Sequence, residues 1–180
     1  VVDEDGNEVP VGEEGQIAVS IKPERPVGLF QEYWKDKEAM ERSFLDDWYL
    51  TGDKAYKDED GYFWFVGRAD DVIISAGYRI GPFEVESALI EHPAVAESAV
   101  VASPDPVRGD IVKAFVILAP DYVASDELVV SLQDHVRTTT APYKYPRSVE
   151  FVTELPKTVS GKIRRVELRE REVERASGSA

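Results

Sequence analysis

A lysine on a glycine turn is a mobile cation, and Pro156-Lys157-Thr158-Val159-Ser160-Gly161-Lys162-Ile163 presents Lys162 in that way. A charge so placed can grip an anion while bonds to it change. Two upstream segments carry complementary groups. In Tyr49-Leu50-Thr51-Gly52-Asp53 a carboxylate follows Thr-Gly at an expected strand end. There it can accept two hydrogen bonds from adjacent hydroxyls, as a ribose presents them. In Gly67-Arg68-Ala69-Asp70-Asp71, Arg68 stands where the composition changes. The acids after it suit a bend between domains, with the guanidinium offered to a sugar or phosphate. Taken singly, each motif has a plainer reading as a loop lysine, a Gly-Asp turn or a surface ion pair.

Further basic groups recur in small-residue loops. Ser75-Ala76-Gly77-Tyr78-Arg79-Ile80-Gly81-Pro82 reads as a loop entering a helix. Its glycines permit close backbone approach, and Arg79 could reach a phosphate beside the helix start. Arg108 lies in Ser103-Pro104-Asp105-Pro106-Val107-Arg108-Gly109, expected to be an exposed loop. Arg137, Lys144 and Arg147 flank or fall within Ala141-Pro142-Tyr143-Lys144-Tyr145-Pro146-Arg147. Cations interleaved with tyrosines could hold a phosphorylated nucleoside by charge and stacking.

The surrounding chain is acidic, with a formal net charge of -14 over 180 residues. That weighs against nucleic acid as a bulk electrostatic partner. A hydrophobic fraction of 43% allows a core, and no apolar run reaches the length of a membrane span. The acidic opening Val1-Val2-Asp3-Glu4-Asp5 lacks a secretory signal pattern, and a cytoplasmic location is expected. The chain has no cysteine, so thiolate chemistry and disulfides are excluded. His92 and His135 are far apart in sequence and read as separate surface histidines rather than metal ligands.

Two grammars follow one another along the chain. Up to residue 69 the pattern is β-rich: strands at 16–21, 48–51 and 62–66, with a helix at 33–44. These strands lack an obvious first partner, as in the closing segment of a larger domain. From residue 70 to 175 the expected order is strand, helix, two strands, helix and strand, followed by a charged helix at 164–175. Ser125 is an expected N-cap, with Asp126 and Glu127 in the first turn. The prediction is an α+β fold, a small domain preceded by a β-rich segment, with a disordered tail at 176–180.

The motifs at 49–53, 67–73, 77–80, 84–86 and 156–163 occur in an order that resembles the adenylate-forming (AMP-binding) superfamily. The segments 103–109 and 141–147 look most like its medium-chain acyl-CoA synthetase branch. The resemblance implies an ATP-dependent acid–thiol ligase. In such enzymes a carboxylic acid reacts with ATP and Mg²⁺ to give an acyl-adenylate and pyrophosphate, and the thiol of CoA then displaces AMP. It further implies that Asp53, Arg68 and Arg79 bind the nucleotide, that Asp70 is the hinge and that Lys162 is catalytic. Ala76, Gly77 and Tyr78 match the pantetheine path. Arg108, Arg137, Tyr145, Pro146 and Arg147 match positions holding the CoA nucleotide. The family's Ser/Thr/Gly-rich phosphate loop, its acid pocket and its metal ligands are not found here. The chain therefore resembles a C-terminal portion whose partner is a missing large N-terminal domain, and it should be inactive alone. Two other readings are an adenylation domain that loads a carrier protein and a non-catalytic module binding CoA or a protein partner.

Overall fold

The computed structural model describes residues 1–178, which form two compact units, one from Val1 to Asp70 and one from Asp71 onward. In the first unit a sheet is built around β3 (Trp48–Lys57). One edge of β3 pairs antiparallel with β1 (Glu14–Ser20). The other edge pairs with β2 (Phe44–Leu45) near its start and with β4 (Phe63–Arg68) near its end. The helix α1 (Lys37–Ser43) is shorter than expected at its start. Lys35 has a left-handed backbone, and Asp36 accepts the Ala39 N–H as the N-cap, so the helix begins only after them. Strand β3 is longer than expected and runs through the Gly52-Asp53 pair. Asp53 thus lies within a strand, opposite Arg68, rather than at a strand end.

The second unit is an α+β sandwich. Its sheet contains β5 (Ile73–Ser75), β6 (Tyr78–Ile80), β7 (Val95–Asp105), β8 (Gly109–Leu118) and β9 (Ser148–Phe151). All pairings are antiparallel except β8 with β9. Side-chain alternation along β8 explains the layers. Val112, Ala114 and Val116 point into a core shared with α2 (Pro82–Ile90) and α3 (Asp126–Thr139). Phe115 points the opposite way, onto a second core with Leu155 and with Leu168 of α4 (Arg165–Gly178). Helices therefore cover both faces. Pro82 opens α2, where its missing N–H costs nothing, and the Ser125 hydroxyl caps α3 by accepting the Leu128 N–H at 3.2 Å.

Three loop expectations give way to regular structure. The segment 75–82 contains the hairpin β5–β6, turned by Ala76 (φ 50°) and Gly77 (φ 84°). Two successive positive φ values match the two-residue turn that follows strand twist. The segment 103–109 extends both strands of the β7–β8 hairpin, leaving a tight turn in which Asp105 accepts the Val107 and Arg108 N–H groups, each at 2.9 Å. At the chain end α4 continues to Gly178, with Ser177 donating to the Val173 carbonyl, so 176–178 are helical rather than a tail. Residues 179–180 lie outside the described residues.

Candidate functional site

In the first unit the structure brings Asp53, Arg68 and Asp70 together. Pairing of β3 with β4 sets Asp53 directly opposite Arg68. The Arg68 guanidinium donates to Asp53 Oδ1 at 3.2 Å, to Asp70 Oδ1 at 3.4 Å and to the Thr51 carbonyl at 3.3 Å. Burial opposes the charge on Arg68, but Asp70 and Asp53 outweigh it and hold its pKa above the ordinary value. Gly52 makes room for this clasp. Its φ is 79°, and a Cβ there would sit 2.8 Å from Arg68 Nη2. The Asp53 backbone is held by Thr51 Oγ at 3.1 Å, and Thr51 in turn donates to the Ile17 carbonyl. The Asp53 carboxylate is about one-third exposed, so the clasp is partly open to solvent.

In the second unit Lys162 stands on a hydrogen-bonded turn. Thr158 N–H donates to the Lys162 carbonyl at 2.8 Å, and Lys162 N–H donates to Thr158 Oγ at 3.1 Å. Gly161 (φ 84°) closes the turn, and Lys157 pairs with Ile163 across it. The side chain of Lys162 is exposed.

Ala76, Gly77 and Tyr78 lie at the β5–β6 turn, with Arg79 exposed on β6. The Ala76 N–H donates to the Arg108 carbonyl at 3.1 Å, which joins this turn to the β7–β8 turn. Tyr78 stacks on Tyr143 with centroids 4.4 Å apart. Arg137 and Arg147 both lie over the Tyr145 ring, at 4.3 and 4.9 Å, and Arg147 also donates to its hydroxyl at 2.9 Å. Pro146 is buried, and its carbonyl accepts from Gln133 at 3.0 Å, tying the 141–147 segment to α3. Lys144, a nucleoside-binding candidate from the sequence, is instead ion-paired to Glu84 of α2. Its ammonium is committed to holding the segment in place.

Charge pairing separates structural cations from available ones. Among the described residues of the second unit, Lys113, Arg137, Lys144, Lys157, Arg164, Arg165, Arg169, Arg171 and Arg175 each hold a carboxylate. The remaining Lys and Arg side chains are Arg79, Arg108, Arg147 and Lys162, all expected site residues. In so acidic a chain, cations without a carboxylate partner are the groups left to meet an external anion.

Sequence reasoning missed three features. Tyr143 as the stacking partner of Tyr78 was visible only as one of several tyrosines. The buried Asp71 pairs with Arg165 and Arg169, and Arg165 also bonds Glu86; the i,i+4 spacing of the two arginines was the available signal. His92 and His135 are neighbours, with ring centroids 5.3 Å apart, because α2 packs on α3. Burial, and then the neighbouring His135, lowers the His92 pKa. No cluster of three or more His, Cys, Asp or Glu suited to a metal occurs among the described residues.

Residues 84–162 match the family model described as the AMP-binding enzyme C-terminal domain. Across 96% of its length the chain is 60% identical to mouse (Mus musculus) acyl-coenzyme A synthetase ACSM3, mitochondrial. It is 50% identical to a Brucella canis acyl-CoA synthetase of known structure, covering 98% of this chain and 32% of that one with a TM-score of 0.60. A benzoate CoA ligase from Burkholderia xenovorans LB400 is 38% identical over 93% of this chain and 32% of its own, with a TM-score of 0.75. The chain spans about 30% of the length of the curated relatives it matches. No described helix is long and apolar enough to cross a membrane.

Proposed function

We propose that this chain, which belongs to the AMP-binding, adenylate-forming family, serves as the C-terminal part of an AMP-forming acyl-CoA synthetase and is inactive without the rest. The observation that supports the reading is the charge pairing just described: among the described residues of the second unit the cations without a carboxylate partner, Arg79, Arg108, Arg147 and Lys162, are all expected site residues, whereas Arg137, also expected to meet CoA, holds Asp134. In this reading residues 1–69 close the large domain, and 70–175 form the mobile one, turning at Asp70.

Each half-reaction then uses a different set of side chains. Asp53 accepts the two ribose hydroxyls of ATP, with Arg68 fixing the carboxylate's orientation, and Arg79 meets the phosphate side. Lys162 stabilises the charge that develops as the acid's carboxylate oxygen bonds to the α-phosphorus and pyrophosphate leaves. In the second step the CoA thiol attacks the acyl carbon, and AMP departs. The Ala76–Tyr78 turn lines the pantetheine path. Arg108, Arg137, Tyr145, Pro146 and Arg147 hold the nucleotide end. The two arginines over Tyr145 favour a nucleotide-bearing thiol over a carrier protein, whose pantetheine arm brings no adenine. The described residues do not fit a magnesium site, so no step is routed through that ion. The relatives' names specify mitochondria, whereas we read this chain as cytoplasmic; fractionation of native cells separates the two.

The test is Lys162→Ala in the full-length protein. Carboxylate-dependent exchange between ATP and pyrophosphate should fall about 100-fold or more, the scale for losing one preorganised charge contact. Conversion of supplied acyl-adenylate to thioester should stay within about twofold, a split expected of a group used in only one half-reaction. Equal loss in both half-reactions would reject the assignment.

A further inference from the structure

We propose that Arg165 and Arg169, through Asp71, are positioning residues that transmit rotation at the unit junction to Lys162. The inference rests on the functional reading above. Its basis is a continuous set of bonds within the second unit. The Lys162 turn is carried on paired backbone, since Arg164 N–H donates to the Pro156 carbonyl at 2.8 Å and Lys157 pairs with Ile163. Helix α4 begins immediately afterwards, at Arg165. Arg165 grips Glu86 through two hydrogen bonds, of 2.9 and 2.5 Å, and reaches Asp71 Oδ2 at 3.5 Å. One turn later Arg169 bonds the other oxygen of Asp71. Glu86 Oε1 also accepts the Val100 N–H at 2.8 Å, which locks the network to β7.

Asp71 is the first residue of the second unit and is buried. On the other side of the junction, Ala69 N–H is tied to the Gly52 carbonyl of the first unit at 2.8 Å. Between the two anchors lies Asp70, whose carboxylate accepts from Arg68 at 3.4 Å. Leu168 and the Lys113–Glu172 pair also hold α4 to the sheet, but the bonds from Asp71 to Arg165 and Arg169 are the direct link from the junction to the start of α4, next to Lys162. Simple adhesion does not call for charges at this position. Buried ion pairs repay little of their desolvation cost, and apolar side chains would hold the helix as well. What the arginines add is direction, because a guanidinium fixes the carboxylate's angle as well as its distance.

The experiment is a double-mutant cycle in the full-length protein, read by ATP–pyrophosphate exchange. Arg169→Met should lower kcat for exchange about 10- to 100-fold, the scale of a misplacement near 1 Å, with the KM for ATP within about twofold. In a Lys162→Ala background the same change should add no more than about twofold, since the residue it positions is gone. Arg169→Lys should recover part of kcat. If the Arg169→Met protein does not fold, Arg165→Lys takes its place in the same cycle with the same expectations. Losses that multiply, or an unchanged kcat in the single variant, would overturn the inference. If Lys162→Ala alone spares exchange, the functional reading itself fails; if Lys162→Ala is crippled and the losses multiply, only the positioning role fails.

Discussion

The two units solve the burial problem differently. In the second, a sheet is covered on both faces, and residues such as Val85, Leu89, Val100, Leu132 and Leu168 are inaccessible to solvent. In the first, the fully buried apolar side chains are Val2 and Ala55, while Tyr62, Phe63, Trp64 and Phe65 are each at least half exposed. Because successive strand residues face opposite sides, these rings leave apolar surface on both faces of β4. The second unit thus carries its own core, and the first draws little stability from its own burial. Polar groups divide in a similar way. The Asp53–Arg68 clasp is partly open to solvent, whereas the Lys113–Glu172 pair under α4 is closed, with Ser103 donating to Glu172 at 2.8 Å. Open pairs suit ligand exchange. Closed ones, once made, keep a helix in one place.

Tryptophan makes the contrast measurable, because Trp34, Trp48 and Trp64 all belong to the first unit. Their fluorescence reports that unit, while far-UV circular dichroism is dominated by the helices of the second. Leu168→Ala should cost about 2–5 kcal/mol in the urea transition followed by circular dichroism. Phe63→Ser should move the fluorescence transition by less than about 0.5 kcal/mol, as a surface change does. A large loss for Phe63→Ser would mean that the first unit has a core of its own and would break the comparison.

A finer test uses two motif glycines with similar backbone angles. Gly52 has φ 79° and Arg68 against it, whereas Gly161 has φ 84° and open space around it. Gly161→Ala should cost about 1–2 kcal/mol, from the left-handed backbone alone. Gly52→Ala meets the same strain and must also displace the guanidinium, so its cost should be larger, and ribose binding in the full-length protein should weaken with it. Equal costs would mean that the clasp shifts freely.

The smallest expected effect is on pH dependence, and it belongs to the second unit. His92 is held neutral by burial and by His135. Its Nδ1 accepts the Ala94 N–H at 3.2 Å, and its Nε2 lies 3.2 Å from the Ser131 hydroxyl. Its folded pKa lies below the unfolded value of about 6.5, so the unfolded chain binds the extra proton first as pH falls. The stability it contributes is complete above that value and declines as pH drops toward the lowered pKa. Glu150 adds a second step. Hydrogen bonding from Arg175 leads the effects that lower its pKa, so its contribution is present above the ordinary glutamate range and is lost on further acidification. Circular-dichroism melts from about pH 7.5 to about pH 3 should show both declines, and His92→Gln should remove the first.

Much of the second unit was legible because its signals are local. Ser125 and Pro82 mark helix starts, and alternation marks β7 and β8, whichever neighbours they acquire. The hairpin at Tyr78–Ile80 was not legible: three residues with two exposed side chains carry no period, and the strand exists only because β5 lies beside it. Expected site residues were identifiable one by one from motif chemistry. Which cations are available was not, since pairings such as Lys144 with Glu84 or Arg165 with Glu86 join residues 60 or more positions apart.

The sequence by itself determined the α+β class, the motif order, the Lys162 turn and the resemblance to the family, because these rest on residue types at short spacing. Tertiary structure alone decided that Arg68 closes on Asp53, that Asp71 is locked beneath α4, and that Arg79, Arg108, Arg147 and Lys162 hold no carboxylate among the described residues. The reason is physical. Periodicity and turn chemistry act over a few residues, whereas ion pairing depends on which distant side chains the folded sheet and helices bring within reach.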